Sequence, residues 1–127
     1  MLLRTFLRAK IHRATVTAAD VDYEGSIAID ADLMDAVDLD HLELVTVWDV
    51  SNGERVTTYA IRGPRGSGEV QINGAAAHRI RPGDHVIIAA FAQADRSELA
   101  AFRARIALVD ERNRLTEVRE GGLAEGD

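Results

Sequence analysis

The hydrophobic pattern of the chain is that of short strands separated by turns. Residues 3–17 are rich in Thr, Val, Leu and Ile without helical spacing, which predicts one long or bent strand. "LELVTVWDV" and "RVTTYAI" are joined by the SNGE sequence at 51–54, and Asn-Gly supplies the positive φ angles of a tight hairpin. "EVQI" predicts a short strand, and the apolar run "HVIIAAF" is typical of a strand buried on both faces.

Helical spacing is confined to short segments. Asp30 is placed to cap a short helix over "ADLMDAV", and the Asn-Gly turn at 73–74 opens a single helical turn at "AAAH". Residues 95–105 predict another helix, followed by a weaker strand pair, and 120–127 predict a disordered tail. Many short strands with little helix predict a mainly β fold, a small closed barrel without free sheet edges.

Length and composition indicate a single domain over residues 1–127, with 46% hydrophobic residues. No apolar run approaches the roughly 20 residues that span a bilayer, and "MLLRTFLRAKIHR" is too charged for a signal peptide. We therefore expect a cytoplasmic protein without a membrane partner. The net charge of −6 also disfavours nucleic acid as a partner.

Several chemistries are excluded by residue type. The chain has no cysteine, which removes thiolate nucleophiles, disulfides and Cys-ligated zinc. Its histidines, at positions 12, 41, 78 and 85, lack metal-ligand spacing, so no metal is predicted. Fourteen of the fifteen basic residues are Arg. The single lysine, Lys10, either marks a position that needs a compact ammonium group or is an exposed strand residue.

Taken alone, each candidate motif has an ordinary structural interpretation. Gly25-Ser26 is a turn sequence. Lys10 and His12 are two residues apart in a predicted strand and share a face. Arg55, Thr57 and Tyr59 likewise share one face of the second hairpin strand, which is also the pattern of cross-strand packing.

Taken together, the motifs resemble one family. "KIHRATVT", "DYEGS", "WDVSNGERVTTYAI" and "VQINGAAAH" resemble, in order and spacing, the pyruvoyl-dependent aspartate 1-decarboxylases, and the similarity runs from Arg4 to Phe91. The resemblance implies a six-stranded double-psi β-barrel with short helices that assembles as a homotetramer with sites between subunits. It fades past Ala92, so the role of residues 93–127 is open.

The resemblance further implies an inactive precursor that cuts itself at Gly25-Ser26 into a β chain, 1–25, and an α chain, 26–127. Ser26 Oγ attacks the Gly25 carbonyl, and β-elimination and hydrolysis then leave a covalent pyruvoyl group. Gly25 lacks a Cβ, so the hydroxyl can approach, and a β-branched residue there should block the cut. Whether maturation needs a protein factor is open.

The implied reaction converts L-aspartate to β-alanine, the precursor of pantothenate and coenzyme A. The pyruvoyl ketone takes the substrate amine as a Schiff base and withdraws electrons as the α-carboxylate leaves as CO₂. Tyr59 matches the family's proton donor, and Thr58 matches an oxyanion donor for self-cleavage. The matching substrate-site positions are Lys10, His12, Trp48, Arg55, Asn73, Gly74, Ala75 and Ala76.

Charge and geometry add detail to these roles. Arg55 can clamp a carboxylate through two parallel hydrogen bonds, and Lys10 can act as a second point charge. Trp48 is either a pocket wall or a core aromatic. In a regular strand Thr58 points away from Tyr59, so we expect a bulge or a neighbouring subunit to bring it to the site.

Two other functions remain compatible with the residues. One is a non-enzymatic barrel that acts as a binding module, with Gly25-Ser26 an intact turn. The other is a serine hydrolase that pairs Ser26 with His12. Both leave the main chain uncut.

Overall fold

The computed structural model describes residues 1–122 and is mainly β. Its strands are β1 (Leu3–Thr15), β2 (Ala18–Asp20), β3 (Ser26–Asp30), β4 (Leu44–Asp49), β5 (Arg55–Gly63), β6 (Val70–Asn73), β7 (His85–Asp95), β8 (Arg103–Val109) and β9 (Leu115–Gly122). One α-helix, α1 (Ala31–Ala36), and 3₁₀ turns at Gly74–His78 and Arg96–Glu98 complete the described elements.

The strand order closes into a barrel. The order is β2-β6-β3-β5-β4-β7-β1-β8-β9, and β2 follows β1 in the chain after only two residues. The bent segment 3–20 thus contributes both β2, at one end of the strand order, and β1, near the other end, and so closes the sheet. The six strands of the barrel are β1 continued by β2, then β6, β3, β5, β4 and β7. Thr17 joins this seam: its amide donates to the Val70 carbonyl at 2.8 Å, and its hydroxyl accepts from the Val70 amide at 3.0 Å. The predicted six-stranded closed barrel is confirmed.

The long first strand bends as predicted. Its register against β7 shifts between Leu7 and Ala9 and again between Ile11 and Ala14, and Arg13 has a φ of 61°. Such bulges increase local twist, which lets one strand reach around the barrel. The β8–β9 hairpin lies outside the six barrel strands, and β8 pairs in parallel with β1.

Alternation along the strands separates an inner face from an outer face. The inner-face residues Ile27, Ile29, Val45, Val47 and Ala60 are all 1% exposed or less and belong to one core cluster. Burial of each large aliphatic side chain contributes roughly 1.5–3 kcal/mol. The residues between them, including Ser26 on β3 and Tyr59 on β5, belong to the outer face.

The predicted hairpin is confirmed, but its turn is longer than a two-residue turn. Only Gly53, with φ +80°, has positive φ in this turn, and Asn52 does not. The Gly53 amide donates to the Asp49 carbonyl at 2.8 Å, and the Asp49 amide donates to the Glu54 carbonyl at 2.8 Å. The Asp49 carboxylate accepts from the Ser51 amide at 2.8 Å, so this side chain, and not a left-handed Asn, shapes the turn.

Asp30 caps α1 as predicted, accepting from the Asp32 amide at 2.8 Å. It also accepts from the amides of Gly66 and Gly68, both at 2.9 Å. Burial opposes ionisation of Asp30, but these three amides and the charge of Arg114 outweigh it and lower the pKa of the carboxyl group. One carboxylate therefore joins the helix to the loop that leads into β6.

The helix predicted over residues 95–105 is wrong. A 3₁₀ turn at Arg96–Glu98, with a capping box formed by Asp95 and Glu98, is followed by β8 from Arg103. Pairing of Ala9 with Arg105 holds this segment in a strand, so long-range pairing overrides local helical propensity. Residues 120–122 form the end of β9, and the rest of the predicted tail, 123–127, lies outside the described residues.

Candidate functional site

Ser26 is a buried serine directly after an exposed loop. It begins β3, is 2% exposed, and pairs across the ladder with Asn73 on β6. The Asn73 side-chain amide donates to Ser26 Oγ at 3.0 Å, and Ser26 Oγ donates to the Glu24 carbonyl at 3.3 Å. Gln71 donates to Asn73 Oδ1 at 2.8 Å. The hydroxyl is therefore held in one orientation beside the Gly25 carbonyl.

Tyr59 lies next to Ser26. The parallel register pairs Ile27 with Ala60, so the preceding residues, Ser26 and Tyr59, are neighbours on the outer face. Tyr59 is half-buried there. The structure thus brings Ser26, Asn73 and Tyr59 together from three adjacent strands.

Thr58 lies on the inner face. It is paired with Val45, a core residue, and the β4–β5 register runs without a shift from Leu44–Tyr59 to Trp48–Arg55. The bulge that we expected to turn Thr58 toward Tyr59 is therefore absent. Thr58 is half-buried on the side of the sheet opposite Tyr59.

The glycine that is packed tightly at this site is Gly74 and not Gly25. A Cβ added at Gly25 would meet no atom within 4 Å, and its φ lies outside the left-handed region. Beyond its two chain neighbours, therefore, no contact in the fold requires glycine at position 25, and the role of Gly25 in the approach of the Ser26 hydroxyl stays a prediction. Gly74 has φ +79°, and a Cβ there would lie 2.6 Å from Gly25 Cα.

Ala75 and Ala76 lie in the 3₁₀ turn that follows Asn73. Ala75 is exposed and Ala76 is half-buried. The first amides of a helical turn have no partner within the turn, so they can donate to an anion or a carbonyl. These two residues present such amides within a few residues of Asn73.

The remaining predicted substrate residues form a second group on the outer face. Arg55 pairs with Trp48 across the hairpin, and its guanidinium carbon lies 5.4 Å from the centroid of the indole ring. The Trp48 ring packs at a tilt against Phe91, with centroids 6.5 Å apart. Trp48 is thus a partly exposed support for Arg55 and not a core aromatic.

Lys10 and His12 extend this second group onto β1. Lys10 pairs with Ala89, Ala89 with Thr46 and Thr46 with Thr57, so Lys10 and Thr57 end one row across four strands. Three strand spacings place β1 about 14 Å from β5 along the sheet. His12 lies two residues beyond Lys10 on the same face.

The two groups do not meet within one chain. Arg55 precedes Tyr59 by four residues on a regular strand, which separates their Cα atoms by about 13 Å. Lys10 and His12 lie on β1, which pairs with β7 and β8 and not with β3. The structure therefore places neither Arg55 nor His12 beside Ser26.

The second group is electropositive in an acidic protein. Burial and the charges of Lys10 and Arg13 lower the pKa of His12, so its imidazole is neutral at neutral pH. Its Nδ1 atom is buried without a hydrogen-bond partner among the described residues. His12 lines a cavity of about 550 Å³ with His85 and the turn at 110–112, and this cavity does not include Ser26.

Sequence reasoning missed Gln71. It orients the Asn73 amide, and its signal was the alternation of "VQIN", which places Gln71 and Asn73 on one face of β6. Within residues 1–122 there is no group of three or more His, Asp or Glu side chains arranged to hold a metal ion. No helix in the same part of the chain is long and apolar enough to cross a bilayer.

A family model described as aspartate decarboxylase matches residues 2–116. The match covers every predicted site residue and extends past Phe91, where the resemblance of the motifs ended. It confirms the resemblance that the motifs indicated. With nearly the whole described chain matched, the protein belongs to the aspartate decarboxylase family.

Proposed function

We propose that this protein decarboxylates L-aspartate at its α-carboxylate to β-alanine and CO₂, using a pyruvoyl group made from Ser26 by self-cleavage at Gly25–Ser26. The β-alanine would serve pantothenate and coenzyme A synthesis. Membership of the family supports aspartate as the substrate and decarboxylation as the reaction. The observation that carries the finer proposal is the Ser26 hydroxyl, held by Asn73 beside the carbonyl of an exposed Gly25.

The residues around Ser26 fit a pyruvoyl group. Asn73 is a neutral donor 3.0 Å from Ser26 Oγ, and the opening amides of the following turn offer further donors for carbonyl oxygens. The position is buried but lies at the end of an exposed loop. When formed, the group supplies a ketone that binds the substrate amine and withdraws electrons from the bond that breaks.

The proposed self-cleavage involves atoms of two adjacent residues. Ser26 Oγ adds to the Gly25 carbonyl carbon, the hydroxyl proton passes to the Ser26 nitrogen, and an ester replaces the amide. Loss of the Ser26 Cα proton then expels the Gly25 carboxylate and leaves dehydroalanine. Water replaces its nitrogen, which departs as ammonia. Two chains result, 1–25 and 26–127.

Thr58 remains our proposed oxyanion donor for this cleavage, a role worth about 3 kcal/mol in other enzymes. The parallel register that pairs Ile27 with Ala60, continued by two residues, places Thr58 beside Gly25, which supports this role. Thr58 would act on the ester-forming step, and Tyr59 on the later proton transfer. The Tyr59 hydroxyl would donate its proton to the substrate carbon from which CO₂ has left.

A second copy of the chain would complete the site. Within one chain the Arg55 guanidinium lies over the Trp48 ring, whose residue is paired with Arg55 and not with Tyr59. Two large apolar side chains on the same outer face are exposed, Leu44 by 68% and Phe91 by 42%, as expected for a surface covered in an assembly. We propose a homotetramer in which Arg55 and Lys10 of one subunit bind the carboxylates of an aspartate held at Ser26 of another.

The test compares the wild-type protein with Ser26→Ala by intact mass and by CO₂ release from aspartate. The wild type should give two fragments, the larger starting at residue 26 with a blocked amino terminus. Ser26→Ala should give one folded, uncut and inactive chain. Normal β-alanine production by Ser26→Ala would end the proposal.

The alternatives predict other outcomes. A binding module with an intact Gly25-Ser26 turn predicts a single uncut wild-type chain without activity. A hydrolase dyad of Ser26 with His12 is disfavoured because β1, which carries His12, does not pair with β3, and the cavity that His12 lines does not include Ser26. The partners of Ser26 Oγ are Asn73 and the Glu24 carbonyl instead.

A further inference from the structure

Gly74 is packed against the backbone that precedes Ser26. A Cβ added at Gly74 would lie 2.6 Å from Gly25 Cα, 2.9 Å from Gly25 N and 3.3 Å from the Tyr23 carbonyl oxygen. All three atoms are backbone atoms, so no side-chain rotation could relieve the contact. Carbon atoms normally pack at about 3.5–4.0 Å, so a methyl group at Gly74 would displace the 23–25 segment by about 1 Å.

The strand register explains this contact. Ser26 and Asn73 are paired at the ends of the antiparallel β3 and β6. Continuing the register by one residue beyond both strands places Gly25 opposite Gly74. Two consecutive residues, Asn73 and Gly74, therefore contact two consecutive residues, Ser26 and Gly25, one through a hydrogen bond and the other through close packing.

The packing of Gly74 restrains the Gly25 side of the Gly25–Ser26 bond. The hydrogen bond from Asn73 positions Ser26 Oγ, but nucleophilic attack also requires the Gly25 carbonyl to be in place. The loop carrying Gly25 is exposed from Val21 through Gly25, and a Cβ at Gly25 itself would touch nothing. The close contact with Gly74 is therefore a restraint on the Gly25 backbone within this exposed segment.

We propose that Gly74 is a positioning residue for self-cleavage: its missing side chain lets the Asn73-Gly74 turn hold the Gly25 backbone against Ser26. This inference rests on the proposed cleavage at Gly25–Ser26. It adds to the predicted requirement for glycine at the scissile residue a second one, at a residue 49 positions further along the chain. Displacements of about 1 Å reduce the rates of positioned reactions by roughly 100-fold.

The test measures self-cleavage of Gly74→Ala by intact mass, from pulse-labelled synthesis onward. A matched control is Gly83→Ala, because Gly83 has φ +91° and a Cβ there would meet no atom within 4 Å. Both substitutions impose left-handed strain on alanine, but only Gly74→Ala adds the clash. We expect Gly74→Ala to be cut about 100-fold more slowly than the wild type, and Gly83→Ala within about 3-fold of it.

Folding is followed in parallel by circular dichroism and thermal unfolding. Because the displaced segment is an exposed loop, Gly74→Ala should unfold at nearly the same temperature as Gly83→Ala. Cleavage of Gly74→Ala at the control's rate would overturn the proposal, and so would a Gly74→Ala chain that fails to fold while Gly83→Ala folds. A wild-type chain that is never cut would overturn the proposed function as well, which separates the two failures.

Discussion

Asn73 donates its side-chain amide to Ser26 Oγ at 3.0 Å, and these two residues, paired across β6 and β3, lie 47 positions apart in the chain. The side-chain amide of Asn73 is itself oriented by Gln71, whose side-chain amide donates to Asn73 Oδ1 at 2.8 Å. The nucleophile of the proposed cleavage is thus positioned by two successive hydrogen bonds along one face of β6. This relay of two hydrogen bonds predicts different effects on cleavage for substitutions at Asn73 and at Gln71.

Asn73→Ala should slow self-cleavage by about five-fold, since a single neutral hydrogen bond contributes roughly 1 kcal/mol. Gln71→Ala should slow it less, because it only loosens the orientation of Asn73. The measurement is the fraction of cut chain against time, by intact mass. A larger effect at Gln71 than at Asn73 would contradict the relay.

Tyr59→Phe should be cut like the wild type but decarboxylate at least about 100-fold more slowly, the usual contribution of a general acid. The matched control is Tyr23→Phe, which removes the same hydroxyl from the other tyrosine, 55% exposed in the loop before the cut. Turnover per cut chain is measured as CO₂ release. Unchanged turnover of Tyr59→Phe would exclude Tyr59 as the acid.

Arg55→Ala should raise the KM for aspartate by about 10- to 100-fold, because charged hydrogen bonds contribute roughly 1.5–3 kcal/mol. Arg55→Lys should recover only part of the affinity, since lysine lacks the bidentate fork and the stacking surface for Trp48. Arg119→Ala on the exposed face of β9 is the control. Equal losses of cleavage and of aspartate affinity would mean that Arg55 is structural.

Asp49 should make stability depend on pH. It is 2% exposed, and Asp49 Oδ2 has no N–H donor among the described residues. Burial and the neighbouring Asp84 raise the pKa of Asp49 to about 6, while the hydrogen bond with Asp49 lowers the pKa of Asp84. The folded chain therefore binds an extra proton at Asp49 between about pH 4 and 6, so the free energy of unfolding falls as pH rises through that window.

Asp49→Asn replaces that proton with a permanent N–H donor toward Asp84. It should raise the free energy of unfolding at pH 8 by roughly 1–3 kcal/mol and have little effect at about pH 4. Asp84 has the opposite effect on stability, because its lowered pKa stabilises the folded chain and this stabilisation is lost as pH falls below its ordinary pKa of 3.8. Urea unfolding in an uncut Ser26→Ala background measures both, with exposed Asp40→Asn as control. Equal effects of Asp49→Asn at both pH values would contradict the raised pKa of Asp49.

The sequence by itself determined the elements whose causes are local. The strand alternation around Asn-Gly predicted the β4–β5 hairpin, although Asp49 and not Asn52 shapes its turn, and Asp30 before an amphipathic segment predicted α1. The order and spacing of the motifs also identified the family. The hairpin and the helix could be predicted because each depends on contacts within about ten residues.

Only the tertiary structure decided which of these residues meet. Residues 95–105 form a 3₁₀ turn and the start of β8, which pairs with β1, and Thr58 faces the core because the β4–β5 register has no bulge. Arg55 is separated from Ser26, and Gly74 touches Gly25, because barrel closure and strand register bring together residues far apart in the chain. Such pairings depend on the cooperative packing of the whole sheet, which no local pattern encodes.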